Sequence, residues 1–211
     1  MRDVSPELLA ACFAQIAAGG WQRFDVAEAA RAGGIPLDVA RRQICGRADF
    51  LLAFGRMADA AAVAGAAGEG SPRDRLFDVL MRRIDVLQSH RAGVIALMQG
   101  VMFDPAASLL LAKASVSSMG WLLAAAGLEA SGPMGRLRRK GLLAVWIWTV
   151  RAWRRDEAGD LAATMAALDQ ALAKAGQVAG WLGGARGEGT SAEEAPPEEM
   201  PQRDPLPEGD G

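Results

Sequence analysis

Histidine, tyrosine and cysteine are scarce in this chain, whose 211 residues include one His, no Tyr and two Cys. Enzymes draw heavily on these side chains for acid, base and nucleophile roles, and zinc sites need His and Cys in groups. Cys12 and Cys45 fit neither a zinc spacing nor a disulfide framework, so we expect two buried, inert thiols. His90, at a predicted helix end, is expected at the surface, where the helix dipole favours its charge. The sequence thus predicts a protein that is not an enzyme and uses no cofactor or metal.

Long apolar runs are also lacking. The stretch 141–150 is uncharged and apolar but too short to span a bilayer, and residues 1–6 do not resemble a signal peptide. We therefore expect a soluble, cytoplasmic protein with no membrane insertion.

The formal net charge of −2 hides a strong asymmetry. Residues 183–211 hold eight acidic residues against Arg186 and Arg203, so the rest of the chain carries about +4. The Gly, Pro, Glu and Ser content of this segment cannot bury a core, which predicts a disordered acidic tail over 183–211. The mildly basic remainder is compatible with a polyanionic partner but does not require one.

Apolar residues recur at helical spacing along the chain, and no segment is better explained as a strand. The sequence predicts an all-α fold with helices at about 6–18, 26–32, 36–44, 47–67, 72–88, 93–101, 106–126, 136–155 and 161–181. The helix at 106–126 is apolar almost all round, so we expect it at the centre of a helical bundle.

Residues 20–53 contain the most specific pattern in the chain. Asp25 is placed to cap a short helix, with Glu28 three residues later to bond back to the backbone of Asp25. Gly33-Gly34 ends that helix, and a second short helix follows Ile35-Pro36. Two short helices joined by a glycine-containing turn are the arrangement that places a second helix in a DNA major groove.

The same segment resembles the N-terminal signature of TetR-family regulators. The matching residues, without a gap, are Gly20-Trp21, Val26-Ala27-Glu28, Ala30, Ala32, Gly34-Ile35, Arg47 and Phe50-Leu51. The resemblance implies a helix-turn-helix DNA-binding domain at 1–50 and a helical ligand-binding and dimerisation domain at 51–182. It implies a ligand-responsive transcriptional repressor that binds operator DNA as a homodimer and takes a hydrophobic small-molecule effector.

Four positions depart from that signature. Pro36 replaces the usual capping Ser, Arg41 and Gln43 replace the Tyr and His that touch DNA phosphates, and Ile44 replaces a Phe. Arg and Gln can still bind phosphates or base edges. The predicted DNA-contacting residues are Leu37, Asp38, Arg41, Arg42, Gln43 and Arg47. Residues 1–60 hold seven Arg and seven acidic residues, so this segment is neutral overall. A neutral segment is weak support for DNA binding, because contacts to phosphates supply much of the affinity.

Large apolar side chains in the second domain predict a ligand pocket between helices. Its candidate lining is Met81, Met98, Met102, Met119, Trp121 and Trp146, with Arg82, Arg83, Lys113 and Thr149 as candidate polar anchors. The surplus of Trp around 146–153 suggests an interface, and the TetR resemblance implies that the last two helices form it with their copies in a two-fold dimer. The candidate interface residues are Trp148, Thr149, Ala152, Leu168 and Leu172.

A second resemblance gives an alternative function. The C-terminal pattern of Arg139-Lys140, Leu143-Ala144, Trp153, Asp156, Asp160-Leu161, Thr164, Leu168-Asp169 and Leu172 looks like that of ubiquinone-biosynthesis accessory proteins with the TetR fold. This resemblance implies a lipid-binding protein that assists a hydroxylase partner and has lost DNA binding.

Overall fold

The computed structural model describes residues 4–66 and 70–184, with side chains placed as far as residue 177. Every regular element in those ranges is a helix, which confirms the all-α prediction. The helices are α1 (Pro6–Gly19), α2 (Val26–Ala32), α3 (Leu37–Gln43), α4 (Arg47–Val63), α5 (Pro72–Ser89), α6 (Arg91–Val101), α7 (Pro105–Ala125), α8 (Gly132–Arg155) and α9 (Ala162–Gly184), with a 3-10 turn at Trp21–Arg23. The predicted tail lies outside the described residues from 185 onward.

Several helix ends differ from the prediction. Helix α4 ends at Val63 rather than near 67, and α6 begins at Arg91 rather than 93. Helix α8 begins at Gly132, four residues earlier than expected. Residues 132–135, which lie between two predicted helices, therefore belong to α8. Pro133 fits there because the first turn of a helix needs no backbone N–H.

The cap of α2 forms from Asp25 as predicted, but its return bond does not. The Asp25 carboxylate accepts from the backbone N–H groups of Ala27 and Glu28, both at 2.9 Å. The Asp25 N–H donates to Gln15 Oε1 at 3.2 Å, and Gln15 Nε2 donates to the Glu28 carboxylate at 3.2 Å. Gln15 therefore ties the start of α2 to α1, where the sequence predicted a purely local box.

The turn between α2 and α3 is built on glycine. Gly34 has a φ of +69°, a left-handed conformation that other residues adopt at a cost. This lets the Ile35 N–H reach back to the Ala30 carbonyl at 2.8 Å, the closing bond of a Schellman motif. The motif ends α2 sharply and aims the chain into α3.

Helices α5 to α9 form the body of the protein, a bundle in which α5 packs against α4, α7, α8 and α9. Helices α8 and α9 pack along each other. Helix α4, which follows the N-terminal unit of α1 to α3, contacts α5 and α7. The prediction that α7 lies at the centre is wrong. Neighbouring helices cover one side of α7, and Leu109 and Trp121 on the other side are 65% and 69% exposed.

Helix α6 belongs to the second half of the chain and packs on α1 and the 3-10 turn of the first half. It therefore joins the two halves. A Cβ on Gly93 would lie 2.6 Å from the Phe13 carbonyl oxygen, and one on Gly100 would lie 2.4 Å from the Trp21 Cβ. Only glycine allows so close an approach. His90 also lies at this joint and not at the surface, since its ring stacks on Phe13 at 4.8 Å and is half-buried.

The two cysteines differ in environment. Cys12 is fully buried in α1, and burial raises the pKa of its thiol to about 12. Cys45 is exposed, which contradicts the prediction for this residue. It follows the end of α3, where Ile44 and not Cys45 turns into the core.

Candidate DNA-reading surface and body cavity

Helix α3 presents one face to solvent and one to the core. Ala40 and the following Ile44 are buried against the N-terminal unit. Leu37, Asp38, Arg41 and Arg42 are exposed on the opposite face, at the i, i+4 spacing that groups them. A depression of about 590 Å³ lies between this face and the start of α2. The exposed face of α3, with its two arginines, carries the charge that a helix in a DNA major groove needs.

The two arginines of this face are held differently. Arg42 pairs with Asp38 at 2.8 Å, with both side chains about two-thirds exposed, at 67% and 68%. Such a pair contributes little to stability, so exchange of Asp38 for a phosphate is not costly. Arg41 donates through Nη1 to the Cys45 carbonyl at 2.7 Å, which caps the end of α3. Arg42 is therefore the cation that is freer to engage a ligand.

Gln43 serves the fold in this structure. Its side-chain oxygen accepts a hydrogen bond from the Ser5 backbone N–H at 2.7 Å, and the side chain is half-buried. This bond joins the end of α3 to the start of α1. The side-chain oxygen of Gln43 is thus used inside the protein, and a contact of its amide N–H groups with DNA stays a prediction.

Arg47 is also used inside the protein, although it was predicted to contact DNA. Its Nη2 donates to the Trp21 carbonyl at 2.9 Å and lies 3.5 Å from an oxygen of Asp104. The guanidinium carbon lies 4.3 Å from the centroid of the Trp21 ring. Trp21 in turn donates from its indole N–H to Asp104 at 3.1 Å. Arg47 thus braces the N-terminal unit against the loop that precedes α7.

Asp104 is the acidic member of this brace. Its pKa lies below the usual range because the carboxylate accepts from the Ala107 backbone N–H and from the Trp21 indole, with Arg47 nearby. The charged form is therefore favoured in the folded state. The brace gives the two halves of the chain a defined relative position.

The predicted ligand-pocket residues differ in exposure. Met119 and Trp146 are buried in the core, and Met81 and Met98 are half-buried against it. Met102 and Trp121 lie on the surface, 75% and 69% exposed, so they cannot line an interior pocket of this chain. Met102 follows α6 in a turn, and Trp121 is on the uncovered side of α7, which composition did not reveal.

A cavity of about 450 Å³ lies elsewhere in the body, between α5, the end of α7, α8 and α9. Its volume falls in the range typical of small-molecule sites. Its apolar lining consists of Leu76, Leu123, Leu128, Met134, Leu137, Leu142, Val145, Leu172 and Ala175, and it also includes Gly141, Gly176, Arg73 and Arg138. No member of the predicted pocket is among these residues. Within the described ranges, no group of three His, Cys, Asp or Glu residues is placed to hold a metal.

One of the predicted polar anchors, Arg83, is buried in the body. It pairs with Asp59 of α4 at 3.2 Å, and its guanidinium lies 4.7 Å from the centroid of the Trp146 ring. Ser118 of α7 donates to the other Asp59 oxygen. Burial lowers the pKa of Arg83, and the charge of Asp59 partly opposes that shift. This cluster connects α4 with α5 and α7 across the core.

The other three candidate anchors are not placed around a pocket. Arg82 donates to the Ala64 carbonyl at 2.9 Å, and Lys113 is exposed. Thr149 is fully buried, and its hydroxyl donates to the Val145 carbonyl of its own helix at 2.9 Å.

The predicted dimer residues divide into surface and core. Trp148 is 55% exposed and Ala152 is half-buried. Thr149, Leu168 and Leu172 are buried within the chain, so they cannot form a surface without unpacking α8 from α9. The large apolar side chains that are exposed on the described parts of these two helices are Leu137, Ile147, Trp148 and Met165.

Helix α7 is the one helix in the described part of the chain that is long and apolar enough to cross a membrane, by length and composition alone. The expectation of no membrane insertion did not anticipate this, because Lys113 interrupts the apolar run.

Comparison with solved structures identifies the architecture. The chain is similar to a TetR transcriptional regulator from Nitrosomonas europaea ATCC 19718, with a TM-score of 0.67 and 16% identity over 81% of this chain and 97% of that one. It is also similar to a TetR transcriptional regulator from Rhodococcus sp. RHA1, with a TM-score of 0.57 and 17% identity over 80% and 93% of the two chains. No protein-family model matches, and no curated protein matches. The chain therefore has the TetR fold, as its N-terminal signature predicted.

Proposed function

We propose that this protein, which has the TetR fold, is a DNA-binding transcriptional regulator that represses its target and responds to a ligand bound in its body. The observation that carries the proposal is the exposed face of α3, where Arg41 and Arg42 stand outward on the second helix of a helix-turn-helix. Leu37 and Asp38 complete that face, and they supply apolar contact and a potential cytosine acceptor. The proposal assigns base and phosphate contacts to these four residues, not to Gln43 or Arg47.

The ligand response is assigned to α4. This helix starts directly after the DNA-reading unit, at Arg47, and its far half is fixed to the body through Asp59. A ligand that favours a different packing of the body helices would displace α4 and with it the α3 face. Such a ligand shifts the equilibrium only by the difference between its affinities for the two arrangements.

The proposed homodimer uses the outer surface of α8 and α9. Ile147, Trp148 and Met165 are large, apolar and exposed there, and Trp is enriched at the centres of interfaces. Two copies related by a two-fold axis place two α3 helices on two half-sites of one operator. A charged substitution at Trp148 should therefore yield a monomer in sedimentation experiments and weaken DNA binding.

The proposal is tested by capture of fragmented genomic DNA on the purified full-length protein over a series of salt concentrations. The fragments include the region upstream of its own gene. A regulator should enrich a discrete site, and Arg42→Ala should reduce the salt dependence of binding by about one phosphate contact. Arg136→Ala is the matched control, because Arg136 is an exposed arginine on α8 far along the chain from α3.

Arg41→Ala is a second variant, and it also removes the hydrogen bond to the Cys45 carbonyl. Its thermal stability is therefore measured alongside its DNA binding. Enrichment of no site at low salt, or equal enrichment by the wild type and Arg42→Ala, would refute the proposal.

A second candidate function is a lipid-binding accessory protein that keeps the fold and does not bind DNA. Two observations favour it: the apolar body cavity and the uncovered face of α7 with Leu109, Val116 and Trp121 exposed. The internal use of Gln43 and Arg47 is also compatible with it. Co-purification of lipid with a protein that captures no DNA would favour this candidate over the regulator.

A further inference from the structure

The body cavity has an apolar interior and cationic charge at its edge. Nine of its lining residues are apolar, and they come from α5, α7, α8, α9 and the loop before α8. The ionisable side chains of the lining are Arg73 and Arg138, and no acidic side chain lines the cavity. An apolar chamber with two guanidinium groups complements a ligand of mixed character. We propose that this cavity binds an amphipathic anion, whose apolar body fills the chamber and whose anionic group pairs with Arg138 and Arg73.

Arg138 is the more available of the two cations. Its Nη1 donates to the Glu129 carbonyl at 3.1 Å, which fixes the side chain without neutralising it. A guanidinium has five N–H donors, so this single bond leaves a face for a carboxylate or phosphate. The side chain is half-buried, and this strengthens an ionic hydrogen bond relative to one in bulk water.

Arg73 already forms an ion pair with Asp169, so we expect it to attract an anion rather than to be its main contact. Its Nη2 lies 2.7 Å from the Asp169 carboxylate, with side chains 46% and 58% exposed. An exposed pair of this kind is weak, so an incoming anion competes with Asp169 at little cost. Arg73 therefore adds attraction at the edge of the cavity, and Arg138 is the primary contact.

Two glycines lie in the lining of the cavity. Gly141 and Gly176 lie inside α8 and α9, where glycine destabilises a helix by about 1 kcal/mol relative to alanine. A Cβ on either residue would meet no atom within 4 Å, so close helix packing does not require them. Both line the cavity. Both are also exposed, so a larger side chain at either position would extend from the lining at the open side of the cavity without a clash.

This inference gives a site and a chemical class to the ligand of the proposed regulator, and in that respect it rests on the ligand response proposed above. Binding itself is measured without DNA. The two ideas can therefore fail separately.

The test uses the full-length protein and isothermal titration calorimetry with three probes below their micelle concentrations: decanoate, decanol and decyltrimethylammonium. Decanoate should bind more tightly than decanol, and the cation should not bind. Arg138→Gln should weaken decanoate roughly ten- to hundred-fold, the effect of losing a hydrogen bond to a charged group, and leave decanol almost unchanged. Arg138→Lys should restore part of the loss, and Arg136→Gln, with the same charge change on the same helix, should have no effect.

Gly176→Leu tests the location. It should abolish decanoate binding while thermal stability holds or rises, because leucine is the better helix former. Gly55→Leu is the matched control: Gly55 is also inside a helix with no atom within 4 Å of its Cβ, but it does not line the cavity. Decanoate binding equal to that of decanol, unaffected by Gly176→Leu, or absent altogether would overturn the inference. Binding without release of captured DNA would refute the ligand response and leave the site intact.

Discussion

Removal of the Asp59 side chain should destabilise the protein strongly, because it leaves the buried guanidinium of Arg83 without its anionic partner. The Arg83 side chain is 7% exposed and that of Asp59 is 17% exposed, and their charged atoms are 3.2 Å apart. The Nε and Nη1 groups of Arg83 find no hydrogen-bond acceptor among the described residues, so Asp59 supplies most of the compensation for this charge. Breaking a buried pair by deleting one partner costs roughly 3–5 kcal/mol. For a domain of this size, that corresponds to a fall in Tm of about 6–20 °C.

The same reasoning predicts that removing both charges is less harmful than removing one. In Asp59→Leu/Arg83→Met, no charge is left in the core, and the expected free energy of unfolding lies near or above that of the wild type. Urea unfolding of the wild type, Asp59→Ala and the double variant measures the difference. Asp38→Ala breaks an ion pair that is about two-thirds exposed, and it should cost less than about 1 kcal/mol. A double variant no more stable than Asp59→Ala would refute this account of the cluster.

Three further predictions concern the contact of α6 with the N-terminal unit and the loop between α8 and α9. Gly100→Ala should cost about 1–3 kcal/mol in urea unfolding, because its Cβ would lie 2.4 Å from that of Trp21 and force the elements apart. The pKa of His90 should lie below about 6.5 because its ring is partly buried; stability is then full above that pH and falls as the pH drops through the folded-state pKa. An NMR titration of this sole imidazole checks it, and a pKa above 6.5 contradicts it. Asp156 accepts two hydrogen bonds from Thr164, which hold its pKa below the usual range, so its contribution is full above about pH 4 and lost in stronger acid. Asp156→Asn should therefore flatten the acid side of the stability profile.

The N-terminal unit was predictable from sequence because its signals act over a few residues. Asp25 bonds to N–H groups two and three positions on, and Gly34 allows a turn that closes within six residues. The exposed face of α3 follows from helical spacing alone. The predicted return bond of Glu28 does not form, because Gln15, ten residues before Asp25, binds both groups.

The roles of Gln43 and Arg47 depend on distant residues, so spacing could not reveal them. Gln43 bonds to Ser5, 38 residues away, and Arg47 bonds to Trp21, 26 residues away. Both residues lie on the elements that the sequence predicts, and their contacts with DNA stay predictions. Their partners are defined only once the helices are packed.

The body cavity was missed for a similar reason. The sequence singles out large Met and Trp side chains, whereas the cavity is lined mainly by Leu side chains, together with two glycines. Gly141 and Gly176, two glycines inside otherwise regular helices, were the available sequence signal. The exposure of α7 had no such signal, because an apolar helix has the same composition whether one side is covered or all sides are.

The affinity of the full-length protein for its recovered genomic fragment, relative to a shuffled fragment of equal length and composition, tests the central claim most directly. Fluorescence anisotropy at a fixed, near-physiological salt concentration gives both values. If the α3 face reads DNA, the recovered fragment should bind at least about 1000-fold more tightly than the shuffled one, and Arg42→Ala should weaken binding to both fragments while Arg136→Ala weakens neither. Equal affinity for the two fragments would contradict the assignment of α3 as a DNA-reading helix.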